Sequence, residues 1–220
     1  MTDNSGGSAK NLVILGGAGF GREIAWMVGQ ANEVRPEKWN VIGFWGRDED
    51  AGQTTPEGWS TLAERDVKEY LPDLWAVAAV GDPRVRERAV KQAQELGCHF
   101  ATLLGPDVQV AEEYSRIGQG SIIATGSVVS VNVTIGEHVN VSGGCIIGHD
   151  AVIEDFATLS PGCLVMGGTR IGKGAFLGVG AVTTEHRDIG DGAVIGAGGV
   201  VVKDIPPGVT ALGVPAKPLG

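Results

Sequence analysis

An aliphatic side chain recurs at every sixth position through the second half of this 220-residue chain. The series is Ile117, Ile123, Val129, Ile135, Val141, Ile147, Ile153, Leu159, Val165, Ile171, Leu177, Thr183, Ile189, Ile195 and Val201. Every third member from Ile117 to Ile189 is Ile, so an eighteen-residue unit is superimposed on the six-residue one. Neither period fits a helix or a coiled coil, and the pattern therefore predicts a stacked repeat.

A small residue four positions after most of these aliphatics indicates the shape of the repeat, as at Ala151, Ala157 and Cys163. Because side chains alternate along a strand, the small residue points the same way as the next aliphatic, which is inward. Three short strands and three corners then make one turn of a triangular coil. Residues 106–205 are predicted to form a parallel β-helix of about five such coils, followed by a C-terminal segment at 206–220.

The composition argues against several classes of function. A net charge of −9 and an isoelectric point near 4.9 argue against a nucleic-acid partner. No apolar run approaches membrane-spanning length, and the N-terminus lacks a basic-then-apolar signal, so membrane insertion is not expected. Three cysteines without metal-site spacing suit a reducing cytoplasm, and no metal site is predicted.

The first half of the chain lacks the six-residue repeat, and all five tryptophans lie there. Strands are predicted at Asn11–Leu15, Val41–Trp45 and Trp75–Val80, and helices at Arg22–Gln30 and Pro83–Leu96. Strands that alternate with helices predict a small parallel, Rossmann-like α/β sheet over residues 11–105. The polar, Ser/Gly-rich residues 1–10 are predicted to be a disordered tail.

A glycine-rich loop, Gly16 to Gly21, joins the first strand to the first helix. Such a loop lets a ligand approach the backbone, with N–H groups of the helix end available for phosphate. Arg22 stands where the dinucleotide fingerprint needs its third glycine, so the pattern does not predict a dinucleotide cofactor. A tight turn with packing glycines is the alternative interpretation.

Taken together, these features resemble the hexapeptide-repeat sugar acetyltransferases, the bacterial group that includes nucleotide-amino-sugar N-acetyltransferases and sialic acid O-acetyltransferases. The resemblance covers nearly the whole chain after the tail. Its motifs are GGAGFG at 16–21, Gly81 after a strand, Ile147-Gly148-His149-Asp150, and Gly213-Val214-Pro215-Ala216-Lys217. It implies a left-handed coil, acetyl-CoA as co-substrate, and a homotrimer with active sites between subunits.

His149 is the candidate general base, because a histidine titrates near neutral pH. By the six-residue count His138, His149 and His186 all occupy corners and are expected to point outward. Asp150 follows His149 and is close enough to orient its imidazole. Adding eighteen gives Gly167-Gly168 at the equivalent corner of the next coil, which leaves a gap beside the imidazole. His186 lies on the same edge two coils away, roughly 10 Å by strand spacing.

The resemblance also assigns roles to residues. His149 and Asp150 take the position of the family's catalytic pair. Residues implied to bind the nucleotide sugar are Ala18, Gly19, Phe20 and Gly81. Residues implied to contact coenzyme A are Thr158, Gly167, Val179 and Ala197. Three positions depart from the pattern. Thr158 replaces a histidine of many relatives, Phe20 replaces a histidine of some members, and Trp45-Gly46 replaces an aspartate pair.

The predicted function is N-acetylation of a nucleotide-linked amino sugar, of the 4-amino-4,6-dideoxy type, for surface glycan (polysaccharide) synthesis. O-acetylation of a sugar or another small hydroxyl acceptor is the same-fold alternative. A carbonic anhydrase or other β-helix protein that transfers no acyl group is a minor alternative. His149 and His186 lie too far apart by coil count to ligate one zinc ion within a subunit.

Overall fold

The computed structural model describes residues 9–17 and 19–219 of the chain. Most of the predicted tail, residues 1–8, lies outside the described residues. Lys10 does not belong to a tail: it begins the first strand, and its ammonium group contacts Glu37 at 2.6 Å. None of the helices in the described part of the chain is long and apolar enough to cross a membrane.

The front half contains a five-stranded parallel sheet with the strand order β3-β2-β1-β4-β5. Its strands are β1 (Lys10–Leu15), β2 (Trp39–Trp45), β3 (Thr61–Leu62), β4 (Trp75–Ala78) and β5 (His99–Phe100). Its helices are α1 (Gly19–Val34), α2 (Glu64–Lys68) and α3 (Pro83–Leu96), with a 3₁₀ turn at Asp48–Asp50. Leu12, Val13 and Ile14 of the central strand are fully buried, as expected of a strand covered on both faces.

The two long helices begin at residues that explain their position. Asp82 caps α3, because its side chain accepts hydrogen bonds from the N–H groups of Arg84 and Val85. The predicted helix over 83–96 is confirmed, whereas α1 begins three residues before the predicted Arg22 and includes half of the glycine loop. Gly21 packs against the carbonyl oxygen of Gly16 so closely that a methyl group could not fit. That contact brings the start of α1 against the end of β1.

The second half is a triangular parallel β-helix, and its strands form three faces. Face one contains β7 (Gln109–Val110), β10 (Val128–Val129), β13 (Ile146–Ile147), β16 (Leu164–Val165), β19 (Val182–Thr183) and β22 (Val200–Val201). Face two contains β8 (Arg116–Ile117), β11 (Thr134–Ile135), β14 (Val152–Ile153), β17 (Arg170–Ile171) and β20 (Asp188–Ile189). Face three contains β6 (Leu103–Leu104), β9 (Ile122–Ile123), β12 (Asn140–Val141), β15 (Thr158–Leu159), β18 (Phe176–Leu177), β21 (Val194–Ile195), β23 (Thr210–Leu212) and the antiparallel β24 (Lys217–Pro218).

The coil extends beyond both ends of the interval 106–205. Leu103–Leu104 pairs with β9, although the sequence analysis assigned it to the front domain. Seven residues, rather than six, separate Val110 from Ile117, and this insertion hides the first turn from the six-residue count. At the other end Thr210–Leu212 pairs with β21, inside the predicted C-terminal segment.

Every sixth residue from 120 to 198 turns a corner with positive φ. Nine of these fourteen positions are glycine, which adopts the left-handed conformation without a steric penalty. The other five are Asn132, His138, Asp150, Phe156 and His186. The strands between the corners point their aliphatic residues inward, where Ile147, Ile153 and Leu159 are fully buried.

The front domain covers face three in the coils nearest the N-terminal end of the β-helix. Ile122, Asn140 and Thr158 stand on the outer side of that face, and each is at most 4 % exposed. His138 was expected to point outward, and this prediction is wrong: it occupies a corner but is 4 % exposed. Its ring packs between Phe100, with ring centroids 4.6 Å apart, and Phe156, with ring centroids 5.2 Å apart.

Burial lowers the pKa of His138 to about 4, with a further lowering from the nearby Arg86 charge. The unfolded chain therefore binds a proton below about pH 6.5 that the folded chain does not bind until about pH 4. We expect the stability to be complete above pH 6.5 and to fall by up to about 3 kcal/mol as the pH drops to 4. Urea unfolding at several pH values should show a shallower loss in His138→Asn, and equal slopes in the two proteins would contradict the assignment.

Candidate active site

His149 and Asp150 occupy the corner between β13 and β14. The Nδ1 atom of His149 lies 2.7 Å from Oδ2 of Asp150. Asp150 holds the left-handed conformation at φ 60°, which aspartate and asparagine tolerate better than most residues. Its second carboxylate oxygen accepts a hydrogen bond of 2.6 Å from Nδ2 of Asn132, one coil earlier. The carboxylate is therefore fixed from both sides.

The charge state of Asp150 follows from these contacts. The hydrogen bond from Asn132 lowers the pKa of Asp150, and the hydrogen bond from His149 and the charges of His149 and His186 lower it further. An ionised carboxylate accepts the Nδ1–H of a neutral imidazole, which leaves the lone pair on Nε2 of His149 available as a base. Both side chains are more than half exposed, so an external proton donor can reach Nε2.

Gly167 and Gly168 lie beside the pair on the next coil, as predicted. A methyl group at position 167 would lie 2.6 Å from both Cε1 and Nε2 of His149. Because real side chains do not approach so closely, only glycine at 167 permits the observed position of the imidazole. The gap predicted from the sequence therefore exists, and the ring of His149 extends over it.

His186 approaches the same glycine pair from the opposite side. A methyl group at Gly168 would overlap Nδ1 of the His186 ring, which leans back from its own coil toward the preceding one. The sequence analysis placed His149 and His186 roughly 10 Å apart, two coils at the spacing of neighbouring strands. That spacing is a distance between backbones, and the two side chains approach each other more closely. The two imidazoles both lie against Gly167-Gly168. Asp150 is close enough to both rings that the charge of each lowers its pKa.

The residues implied to contact coenzyme A fall in three different places. Gly167 lies beside His149 on the edge between faces one and two, which we call the His149 edge. Val179 and Ala197 are both exposed but lie on the edge between faces three and one, which we call the Val179 edge. Thr158 lies on neither edge: it is 4 % exposed, and its hydroxyl donates to the carbonyl oxygen of Gly81 at 2.9 Å. Within this chain Thr158 is therefore a contact between the domains and does not face an exposed coenzyme site.

Three of the residues implied to bind the nucleotide sugar, Gly19, Phe20 and Gly81, lie around the carboxyl ends of β1 and β4. Ala18 lies outside the described residues. Gly19 begins α1, and a side chain added there would contact nothing within 4 Å. Phe20 lines a cavity of about 180 Å³ together with Trp26, Ala124, Thr125, Ser142 and Gly143. Gly81 lines a larger cavity, of about 540 Å³, with Pro83 of α3 and Phe176 and Val194 of face three.

Arg86 is a functional candidate that the sequence analysis missed. Its side chain is fully buried beneath Gly81, although arginine is rarely buried. The sequence holds a signal for it, since Arg86 lies on the same side of α3 as Val90 and Ala93, at helical spacing. All three residues are buried in the structure.

Comparison with known proteins adds to this geometry. Residues 11–93 match the model of the PglD N-terminal domain family. The fold resembles the acetyltransferase domain of PglB from Neisseria gonorrhoeae, solved with acetyl coenzyme A, at a TM-score of 0.86 and 30% identity over 96% of this chain and 100% of that one. The chain belongs to the hexapeptide-repeat sugar acetyltransferases. It is thus an acyltransferase, and its coil is the left-handed β-helix that the resemblance implied.

Two further members of the family have been solved. PerB from Caulobacter crescentus, in complex with CoA and GDP-perosamine, is 28% identical with a TM-score of 0.82 over 96% of this chain and 97% of that one. WeeI from Acinetobacter baumannii is 29% identical with a TM-score of 0.80 over 94% of this chain and 99% of that one. A search of curated protein sequences found no significant match.

The position of Gly167 leads to a prediction about activity. In Gly167→Ala the added methyl group would force the imidazole of His149 away from Asp150, so kcat should fall about tenfold or more. Because Gly167 does not have a positive φ, the stability of the Gly167→Ala protein should differ little from that of the wild type. Gly29→Ala, in the exposed middle of α1, is the control and should keep full activity. Wild-type kcat in Gly167→Ala would show that the contact between ring and glycine is not needed.

Proposed function

We propose that this protein transfers the acetyl group of acetyl-CoA to the amine of a nucleotide-linked amino sugar. The observation that carries the proposal is the His149–Asp150 pair, held by Asn132 and facing a glycine gap. The ligands of the relatives support it, because one was solved with acetyl coenzyme A and another with CoA and GDP-perosamine. An amino sugar of the 4-amino-4,6-dideoxy type, made for surface glycans, is the proposed acceptor.

His149 has a definite role in this reaction. The neutral amine attacks the thioester carbonyl carbon, so that a C–N bond forms and the C–S bond breaks. Nε2 of His149 accepts the proton that the nitrogen loses, and Asp150 stabilises the resulting imidazolium. Coenzyme A leaves as a thiolate and takes up a proton. Asn132 keeps Asp150 in place throughout, since it bonds the carboxylate oxygen that His149 does not use.

The front domain is proposed to hold the nucleotide sugar. Gly19, Phe20 and Gly81 lie around the carboxyl ends of parallel strands, where ligands of open α/β sheets bind. Ala18 precedes Gly19 in the sequence and is proposed to take part in the same site. The cavity beside Phe20 is lined by Ala124 and Trp26 as well as by the polar Ser142 and Thr125. A mixed lining of this kind suits a deoxy sugar, which presents a methyl group and few hydroxyls.

We infer that the active enzyme is a homotrimer. Gly167 lies on the His149 edge, and Val179 and Ala197 lie on the Val179 edge, so one coenzyme could contact both sets only across two copies of the chain. Face one supports this arrangement because its outer residues are apolar and partly exposed: Val128, Ile146, Leu164, Val182 and Val200. Ile146, next to the His149 edge, is 44% exposed in the single chain. Apolar surface of this kind is typical of a subunit interface.

The first test concerns His149. General-base catalysis contributes about 10²- to 10⁴-fold, so His149→Asn should lower kcat by that order with little change in the affinity for acetyl-CoA. UDP-, GDP- and dTDP-linked 4-amino sugars would be assayed as acceptors. The acetylated product should resist hydroxylamine, which cleaves esters but not amides. A product that hydroxylamine cleaves would instead establish O-acetylation, and a wild-type rate in His149→Asn would remove this residue from the mechanism.

Subunit mixing tests the shared site. His149→Asn and Val179→Arg should each be inactive as pure proteins. The first removes the proposed base from the His149 edge of every site, and the second blocks coenzyme binding at the Val179 edge of every site. Co-expressed in equal amounts, they should recover about a quarter of the wild-type activity, since random assembly pairs two intact edges in about one site in four. No recovery from a mixture confirmed as trimeric by light scattering would place both edges of a site on the same chain.

A further inference from the structure

Arg86 is a fully buried cation whose polar contacts are carbonyl and hydroxyl oxygens of the two domains. Burial lowers its pKa to about 10, so it keeps its charge at neutral pH. A buried charge is costly unless hydrogen bonds satisfy it, and here the guanidinium bonds span the boundary between α3 and the coil. Such a cluster is expected to fix the relative position of the groups it joins.

One side of the guanidinium binds the coil. Nε donates to the carbonyl oxygen of His138 at 2.9 Å, and Nη2 donates to that of Ala157 at 3.0 Å and to that of Phe156. His138 and Phe156 are neighbouring corners of successive coils, and Ala157 follows directly. Arg86 therefore bonds two turns of the β-helix at once.

The other side binds the segment that follows β4. Nη1 of Arg86 donates to the carbonyl oxygens of Val80, at 2.6 Å, and Gly81, at 3.3 Å, and to the hydroxyl of Thr158 at 2.9 Å. The Thr158 hydroxyl in turn donates to the Gly81 oxygen at 2.9 Å. Asn140, one coil earlier on face three, donates to the Val80 oxygen at 3.1 Å. Both carbonyls are thus drawn toward the coil.

These bonds decide which way the Val80–Gly81 segment faces. In a planar trans peptide the N–H points opposite to the C=O. With the oxygens of Val80 and Gly81 turned toward the coil, the N–H groups of Gly81 and Asp82 turn away from it. The cavity of about 540 Å³ beside Gly81, Pro83 and Phe176 adjoins this segment. Arg86 and Thr158 therefore set the orientation of the backbone that lines the cavity.

We propose that Arg86 and Thr158 are positioning residues that hold the Val80–Gly81 segment, and with it the acceptor sugar nucleotide, in register with the acetyl donor on the coil. This inference rests on the proposed function. It also gives Thr158 a different role from the one its sequence position implies: Thr158 acts on the acceptor side through Gly81, and does not touch coenzyme A.

Thr158→Val tests the two roles against each other, because it removes one hydroxyl and keeps the shape of the side chain. A lost hydrogen bond is worth about 1 kcal/mol, so the KM for the sugar nucleotide should rise about 3- to 10-fold while the KM for acetyl-CoA stays unchanged. The matched control is Thr134→Val, at the same strand position on face two, where the side chain is exposed. Arg86→Lys keeps the positive charge but loses the several N–H donors of the guanidinium, so it should raise the KM for the sugar nucleotide more than Thr158→Val does. Arg86→Gln should raise this KM the most.

Hydrogen exchange measured by mass spectrometry gives a readout that does not depend on the substrate. Thr158→Val should speed exchange in the peptide containing residues 79–84 and leave the peptides of faces one and two unchanged. A rise in the KM for acetyl-CoA, equal rises for both substrates, or unchanged exchange and kinetics would each overturn the inference. If the wild-type protein acetylated no sugar nucleotide, the proposed function would fail, and the exchange result would still decide whether Thr158 holds the segment.

Discussion

The left-handed corner that recurs at every sixth residue is the constraint on which the coil and its site depend. Each turn of the coil closes within about eighteen residues, and from residue 120 to residue 198 every sixth residue makes the corner with positive φ. Glycine does so without penalty, whereas most other residues lose about 1–2 kcal/mol. Non-glycine residues at these corners therefore need a compensating role, and the five in this chain fall into two groups.

One group forms the candidate site, and the other joins the domains. Asn132, Asp150 and His186 lie on the His149 edge, where Asn132 and Asp150 bond each other and His186 rests on Gly168. His138 and Phe156 lie on the edge between faces two and three, where their rings stack at 5.2 Å under the front domain. The positions at which the glycine pattern is broken thus mark the two places where the coil does more than close upon itself.

Much of this architecture could be predicted from the sequence because it is periodic. The six-residue series from Ile117 to Val201 predicts the coil, and the eighteen-residue offset correctly places Gly167 beside His149. The first turn escaped prediction because a single inserted residue before Ile117 breaks the period. The alternation of strands and helices predicted the parallel sheet of the front half, but not the short strands β3 and β5, whose two residues carry no pattern.

The contacts between the domains could not be predicted, since periodicity within the coil contains no information on what covers a face. His138 has the same corner position as His186, yet one is buried and the other exposed. Thr158 was assigned by its distance from His149 along the chain, and its environment in the fold depends on Arg86, 72 residues earlier. Side-chain direction also lies beyond a count of coils, as the backward lean of His186 illustrates.

The division of labour between the two halves bears on two of the three positions at which this chain departs from the family pattern, since the third, Thr158, lies in the coil. Phe20 lies in the first turn of α1, and Trp45-Gly46 lies at the end of β2 and directly after it, so both are in the front domain. Trp45 is 7% exposed and packs into the sheet, so no acidic side chain occupies that strand end. The His149–Asp150 pair and Gly167 belong to the coil, whose geometry is set by the corner series and does not depend on those loops. Under the proposed function, changes in the loops alter which acceptor is bound while His149 and Asp150 remain in place, provided that the Arg86 cluster keeps the two halves in register.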